Sequence, residues 1–381
     1  MFRPDSGAGR VMAFLRERVP LQIEVFEQLA KEPIPVHMKR WWYALGGTPL
    51  ICFCILLATG ICLTFYYIPE PKQAYRSVQY ITERVYFGWY IRSMHKWAGN
   101  LMIIAVLLHL FRVFFTGAYR RPRELNWMVG CGLLFTILGF GFTGYALVFD
   151  QLSYWAAQVG TGLAAKTPLV GEFFRRFMLG GEVVGEGTLA RFFVFHVGVW
   201  PSVFSALLGI HIFLFRGLGI ADLGAKTLSP GEARDHDAML KSGRYFPFFP
   251  NHAMTELVVA LAILIVLTEL SIVFPAQLGP PADPLNTPAH IQPEWYFFFQ
   301  FQLLKMFPEH LALGLQLVMV VIMVFWPFID GWMLRRWNRA WLSPCFGMAG
   351  LAVFLGLTVK EALHGYVLFH DWWPKLTGSL L

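Results

Sequence analysis

The chain has 381 residues, of which 56% are hydrophobic and 17% aromatic, and only 14% are charged. A soluble domain carries about a quarter charged residues, and mean hydropathy here is +0.51, so a water-soluble globular enzyme is excluded and a multi-span membrane protein implied. The net charge of +7 sits in short loops beside apolar segments, where the positive-inside rule puts it, and is not the mark of a nucleic-acid surface.

The N-terminal stretch MFRPDSGAGRVMAFLRERVP has no long apolar core and no small-residue cleavage site, so no signal peptide is expected. Residues 11–33 mix Leu, Val, Ile and Phe with Arg and Glu, which predicts an amphipathic helix lying on the membrane surface. Seven apolar segments follow, at 44–67, 93–116, 127–149, 192–216, 253–275, 311–334 and 345–364. Their runs are unbroken, which excludes alternating barrel strands and leaves seven crossing helices in an all-α membrane protein.

Orientation follows from the short connections. Arg120, Arg121 and Arg123 lie between the second and third segments, and Arg335, Arg336 and Arg339 between the sixth and seventh. Both groups fall on the side of the N-terminus, whose first 43 residues are also rich in Lys and Arg. That side is expected to be cytoplasmic or its equivalent, the n-side, and the opposite face is the p-side. The expected organisation is an n-side segment 1–43, a four-helix part 44–216, an n-side connection 217–252, and a three-helix part 253–381. The p-side loop 276–310 is rich in proline and aromatics, and is expected to fold back into the protein.

Cys52, Cys54, Cys62, Cys131 and Cys345 show no metal-ligand or haem-attachment spacing, and four lie inside apolar runs. They read as small buried hydrophobes. The histidines are different. His95 and His109 lie fourteen apart on the second helix, and His196 and His211 fifteen apart on the fourth. Fourteen steps return to within about 40° of the starting direction and fifteen to about 60°, with an axial separation of about 21 Å. The two helices run the same way, so His95 is level with His196 and His109 with His211. Four imidazoles at two depths are what two stacked bis-histidine haems need. A proton relay or satisfied core histidines would also account for intramembrane histidines taken singly.

Glycines repeat the interval. Gly46 and Gly60 on the first helix, and Gly130 and Gly144 on the third, are fourteen apart. A macrocycle edge against a helix needs a position without a side chain, although glycine is also common where membrane helices touch. Arg92 and Arg112 lie three residues from His95 and His109, and Arg191 five before His196. Haem propionates need such cationic partners, while interfacial snorkelling would explain Arg191 equally well.

These residues, with LGGTPL, ATGICLTFYY, SVQYITERVYFGWYIRSMHKWAG, HLFRVFFTGAYRRPRELNW, FGFTGYAL, DQLSYWA, ADP and PEWYFFFQFQLLK, carry a resemblance over most of residues 20–360. The chain resembles cytochrome b of the cytochrome bc/bf (Rieske–cytochrome b) family, and looks like the plastid-type cytochrome fused to its subunit IV. The resemblance implies a four-helix dihaem bundle followed by three further helices. It implies p-side haem ligation by His95 and His196 and n-side ligation by His109 and His211. Pro293, Glu294, Trp295 and Tyr296 would border a quinol-oxidising pocket, with Tyr154, Trp155 and Val159 lining it. Glu294 has independent physical sense there, because a carboxylate in an apolar pocket can accept a quinol proton near neutral pH. Arg216 and Lys39 are candidates for an n-side quinone site.

Two departures stand out. The plastid-type protein ties an extra haem to cysteine in the words Tyr-Cys-Leu-Gly-Gly; here they read Tyr43-Ala44-Leu45-Gly46-Gly47. With no thiol at Ala44, no covalent haem is expected. The usual Leu-Pro-Trp ending the third helix is Leu147-Val148-Phe149, which alters the pocket.

The implied mechanism is bifurcated quinol oxidation on the p-side, with one electron passing to a Rieske iron–sulfur protein and a c-type cytochrome. The other crosses through two non-covalent b-type haems to an n-side quinone, coupled to proton translocation in an energy-transducing membrane such as the bacterial inner membrane. No Rieske motif or Cys-x-x-Cys-His occurs, so those partners are expected on other subunits, beside lipid and a second copy in a homodimeric complex. A dihaem anchor of another quinone-linked oxidoreductase would explain the histidines but not the PEWY loop. A proton-coupled transporter would need a helical repeat that is not evident.

Overall fold

The computed structural model describes residues 30–167, 170–221, 236–288 and 291–370. Six helices are long and apolar enough to cross a bilayer: Gly88–Phe115, Glu124–Ala146, Glu186–Leu218, Phe248–Val273, Glu309–Trp337 and Leu342–Leu363. The remaining expected span is a shorter apolar helix, α1 (Thr48–Thr64). Its 17 residues give about 26 Å at 1.5 Å per residue, a little under the hydrocarbon thickness. Hydropathy therefore located all seven helices, but not the early stop of the first.

α2 (Ala74–Glu83) is a short connector ahead of α3 (Gly88–Phe115), which carries His95 and His109. α4 (Glu124–Ala146) follows, then two short helices in the connection, α5 (Gln151–Ala165) and α6 (Gly171–Leu179). Asp150 starts α5 by accepting a hydrogen bond from the Ser153 backbone N–H at 2.9 Å, an N-cap that satisfies an otherwise orphaned donor. α6 ends on Gly180 at φ +66°, the left-handed position that glycine takes without a Cβ clash.

The fourth crossing is built from α7 (Glu186–Val194), a π-helical turn Phe195–Val199, and α8 (Trp200–Leu218). α10 (Ala253–Val273), α11 (Phe298–Met306), α12 (Glu309–Trp337) and α13 (Leu342–His370) complete the helices. α1 packs on α3 and α4 on α8, while α11 packs on α13. Outward residues such as Phe213, Val258, Leu317 and Val353 are exposed, as hydrocarbon-facing side chains should be. Cys54, Cys62 and Cys345 are exposed too, and only Cys52 and Cys131 are buried. The cysteines expected to be buried thus divide, because apolar runs in a membrane helix face lipid as readily as core.

Helices α1–α8 and α11–α13 belong to one compact unit, Leu45–Pro230 with Ile263–Leu381. Its core includes a cluster of Tyr119, Trp127, Cys131, Trp326 and Met333, where Trp127 donates to the Met323 carbonyl at 2.8 Å. Beside it Asp330, 1% exposed, takes a hydrogen bond from Arg120 Nε at 2.6 Å and another from the Ser343 hydroxyl. A carboxylate on a membrane helix is tolerable only when paired in this way.

The second unit, Met1–Ala44 with Gly231–Ala262, holds a two-stranded antiparallel sheet. β1 (Pro33–Pro35) pairs with β2 (Tyr245–Pro247), Ile34 opposite Phe246, and α9 (His236–Lys241) precedes β2. Most of the expected amphipathic helix lies outside the described residues. Its last residue, Pro33, is strand, since the two prolines of Pro-Ile-Pro hold an extended backbone and lack donors. Within the connection 217–252, residues 236–252 hold α9 and β2, and 222–235 lie outside the described residues.

Candidate functional site

The four histidines meet in two pairs. The ring centres of His95 and His196 are 6.1 Å apart with planes at 67°, and those of His109 and His211 are 6.5 Å apart at 72°. A metal held midway between two imidazoles at about 2 Å from each nitrogen lies roughly 3 Å from each ring centre, which calls for ring centres about 6.3 Å apart. Among the described residues no group of three or more His, Cys, Asp or Glu is placed to hold a metal ion. The spacing of each pair fits a haem, which brings four nitrogens of its own and would need one donor from each of two histidines.

The unequal histidine intervals are reconciled by the backbone. His196 lies in the π-helical turn Phe195–Val199, closed by the Trp200 N–H donating to the Phe195 carbonyl. A π-turn takes in one extra residue, so fifteen residues there do the work of fourteen and His211 returns to the face of His196. Nothing in the sequence marks that insertion.

Each glycine of the fourteen-residue pairs lies against one imidazole. A β-carbon on Gly60 would stand 3.2 Å from His95 Cε1, on Gly144 2.5 Å from His196 Cε1, on Gly130 3.6 Å from His211 Cε1, and on Gly46 3.7 Å from His109 Cε1. The glycines thus clear space for the imidazole rings. In every case Cε1 and Nδ1 are among the nearest atoms.

Two residues not singled out in the sequence complete the first pair. Thr59 Oγ1 is 2.9 Å from His95 Nδ1, and Thr143 Oγ1 is 3.3 Å from His196 Nδ1. At the second pair, an Arg112 guanidinium nitrogen lies 3.2 Å from His109 Nδ1, and His211 Nδ1 is buried without a hydrogen bond. The signal for the threonines was in plain view, as each immediately precedes one of the glycines.

Arg92 and Arg191, two of the three arginines expected against propionates, make contacts with backbone carbonyls. Arg92 donates to the carbonyls of Ala276 at 2.8 Å and Gln277 at 2.9 Å, tying α3 to the loop after α10. Arg191 donates to the carbonyls of Phe177 at 2.7 Å and Arg176 at 3.1 Å, the last turn of α6. Helix-end carbonyls attract guanidinium strongly, and sequence distance from a histidine does not reveal them.

The proline-rich loop docks onto the start of α5. Asp150 accepts from the Gly279 N–H at 3.2 Å, and Gln151 donates to the Asn286 carbonyl at 2.6 Å. Beyond it, Trp295 Nε1 donates to Asn100 on α3 at 2.6 Å. Tyr296 is 8% exposed, its ring packed where a Gly141 side chain would go. Pro293 leads into half-buried Glu294, whose pKa is pushed up by burial and by Asp150, with Lys96 pulling it down. Glu294 and Tyr145, the latter not foreseen, both act on the Tyr296 hydroxyl, whose pKa is raised mainly by burial. Below the loop, Gln292 donates to Glu361 Oε1 at 3.0 Å, and Lys305 Nζ reaches both Glu361 oxygens at 2.8 Å.

Of the other candidates, Tyr154 is buried and contacts Trp155 edge-on. Trp155 Nε1 and Gln158 Oε1 are buried without hydrogen bonds, and Val159 is half-buried on the same helix. Lys39 stacks over Phe246 at 5.2 Å, and Arg216 ends α8. Ala44 is buried at 4%. The second unit also contains a pair absent from the sequence argument, His252 Nε2 at 3.4 Å from Glu256 Oε1.

Residues 29–219 match the family described as cytochrome b/b6/petB, and residues 281–366 match cytochrome b(C-terminal)/b6/petD. The cytochrome bc complex cytochrome b subunit of Chlorobaculum thiosulfatiphilum is 37% identical over 362 residues, covering 93% of this chain and 81% of that protein. The chain belongs to the cytochrome b/b6 family. Cytochrome b6 of Heliobacterium modesticaldum is 45% identical over 211 residues, covering 55% of the chain and 99% of that protein. Among solved structures, a chain of a hyperthermophilic respiratory Complex III superposes with TM-score 0.74 at 26% identity, covering 92% of this chain and 99% of that one. All four histidines of this family member fall within the first match, and the Pro293–Tyr296 loop within the second.

Proposed function

We propose that this chain is the cytochrome b subunit of a quinol-oxidising bc/b6f-type complex, with two b-type haems held non-covalently by His95 with His196 and by His109 with His211. The observation that carries the reading is the pair of ring separations, 6.1 and 6.5 Å, which fits one iron porphyrin at each level. Bound haem supplies one-electron carriage across a hydrocarbon layer that protein side chains cannot provide. The first level is assigned to the p-side and the second to the n-side, with the arginine-rich loops setting the direction.

The chain's own residues do the rest. Glu294 is the proton acceptor for quinol in the p-side pocket. Its burial raises the carboxylate's affinity for a proton above that of an exposed glutamate. Tyr296, Tyr145 and Trp295 shape the pocket and exclude water, and Asn100 fixes the Trp295 ring. Tyr154, Trp155 and Val159 line the pocket from α5, where the unpartnered Trp155 Nε1–H and Gln158 Oε1 offer a donor and an acceptor to a quinol head group. Arg112 keeps positive charge at the second level, and Arg216 is assigned to quinone on that side. Proton release at Glu294 and uptake at the opposite face make the cycle proton-translocating. A Rieske iron–sulfur protein and a c-type cytochrome on separate subunits complete the complex, which is homodimeric.

The test is a reduced-minus-oxidised spectrum of the purified chain with pyridine haemochrome quantification before and after acid–acetone extraction. Two extractable b haems per chain are expected. Colour retained on the polypeptide would mean a covalent haem despite Ala44, and no haem would return the histidines to a proton-relay reading.

A further inference from the structure

We propose that Thr59 and Thr143 are positioning residues that lower the reduction potential of the metal held by His95 and His196 relative to the one held by His109 and His211. The inference rests on the reading of both pairs as haem ligands. It starts from a sequence asymmetry within the fourteen-residue repeat. At one level the words are Thr59-Gly60 and Thr143-Gly144; fourteen residues earlier they are Leu45-Gly46 and Val129-Gly130. Both levels therefore have the glycine, and only one has the hydroxyl.

The hydroxyls are oriented by their own helices. Thr59 Oγ1 donates to the Ile55 carbonyl at 2.7 Å, and Thr143 Oγ1 donates to the Gly139 carbonyl at 2.8 Å. With its proton committed, each oxygen has only lone pairs to offer Nδ1, at 2.9 and 3.3 Å. Nδ1 must then carry the hydrogen and donate it. That fixes the tautomer with the Nε2 lone pair free for a metal. Both threonines are buried, at 5% and 1% exposure, so no water competes for the contact.

Donation from Nδ1–H to an oxygen makes the imidazole more electron-rich and a better σ-donor. A stronger donor favours the ferric over the ferrous state, and the potential falls. The backbone contacts of Leu56 with His95 and of Phe140 with His196 stay in place when a threonine becomes valine, so the substitutions isolate the hydroxyls. At the second level the matching residues Leu45 and Val129 carry no hydroxyl, and His211 Nδ1 makes no hydrogen bond among the described residues.

The experiment is a potentiometric titration of the assembled complex carrying Thr59→Val, Thr143→Val and the double substitution, with the two haems resolved by their α-bands. Valine keeps the shape and removes the hydroxyl. The double variant is expected to shift the first-level reduction equilibrium three- to tenfold towards the reduced form, about 30–60 mV upwards for one electron, with the second level unmoved. Thr→Ser at both sites, which keeps the hydroxyl, should restore the original midpoint. Val129→Thr supplies an independent arm, since a new hydroxyl beside His211 should lower the second midpoint alone. Unmoved midpoints in the Thr→Val double variant with both haems bound would overturn the inference. If that variant loses its haem, an unmoved second midpoint in Val129→Thr would overturn it instead. A wild-type chain without haem would bring down the underlying reading first, and its own spectrum would already reveal that.

Discussion

The two histidine pairs share a fold and differ in chemistry. Both sit between the helix pairs α1–α3 and α4–α8, with a glycine under every ring and ring centres near 6 Å. At the His95/His196 level the rings are pressed hard, with notional β-carbons 3.2 and 2.5 Å away, against 3.7 and 3.6 Å at the other. The first level meets neutral hydroxyl oxygens, and the second meets the Arg112 cation. Repetition of a backbone frame therefore does not repeat a site: the side chain one position before each glycine sets the electronics. On the proposed haem reading both differences act in one sense, making the first level harder to reduce than the second, which is the order the proposed electron path from p-side to n-side needs.

The largest effect should come from removing a ligand. His95→Leu is expected to reduce haem content from two to one per chain while leaving the spectrum of the second level, and His109→Leu to do the reverse. Haem-to-polypeptide ratio and the reduced α-band measure both. Loss of both haems from either single variant would mean that the levels are not independent sites.

Next in size is Glu294, which belongs to the first level alone. Replacing a positioned proton acceptor typically costs about 10²-fold or more, so Glu294→Gln should slow quinol oxidation by roughly that factor while both haems stay bound. The pH profile gives a sharper reading. Burial raises the Glu294 pKa above the ordinary 4.5, so the ionised, proton-accepting form is lost at a higher pH than for an exposed glutamate. Activity should therefore fall on an acid limb lying above that value. Lys96→Met removes the charge that opposes the shift and should move the limb to higher pH still, whereas Asp150→Asn should move it down.

Packing should separate the levels more finely. On Gly144 a methyl group meets His196 Cε1 at 2.5 Å, and forcing volume into such a contact costs about 1–3 kcal/mol. On Gly130, inside α4, it meets only ordinary contact distances, and the gain in helix propensity from Gly to Ala, about 0.5–1 kcal/mol, is not offset. On Gly46, in the 3-10 turn Trp41–Gly46 ahead of α1, the contact is equally loose. Gly144→Ala should accordingly lower the Soret-monitored unfolding midpoint, Gly60→Ala less so, and Gly130→Ala and Gly46→Ala should leave it unchanged or raise it. Equal effects at all four glycines would erase the packing half of the comparison.

Much of this was legible in the sequence because membrane helices make it so. Unbroken apolar runs located seven helices, and intramembrane histidines at matched intervals announced two levels. The rest depended on facts that periodicity does not carry. The extra residue between His196 and His211 vanishes into a π-turn, so an ideal 100° step misjudged the face by about one residue. Nearness in sequence to a histidine does not announce the carbonyls that Arg92 and Arg191 contact, which the tertiary fold brings from Ala276, Gln277, Arg176 and Phe177. Thr59 and Thr143 were passed over because a threonine in a membrane helix usually bonds its own backbone. These do so as well, and that bond is what frees the lone pair for histidine.

The smallest effect tests the other half of the electronic difference. A guanidinium beside His109 stabilises the electron-rich ferrous state by Coulomb attraction, which is appreciable in a low-dielectric interior. Its contact with Nδ1 also needs a lone pair there, whereas iron on Nε2 puts the hydrogen on Nδ1. With a metal held on Nε2, Arg112 would act at this level through its charge. Charge, not hydrogen bonding, is then its contribution at this level. Arg112→Gln keeps a donor and removes the charge, so it should lower the second midpoint by up to about 30 mV, a threefold change in the equilibrium, and leave the first unmoved. Arg112→Lys should retain most of the original value. If glutamine and lysine behaved alike, the hydrogen bond and not the charge would be setting the second level, and the two pairs would differ in one device instead of two.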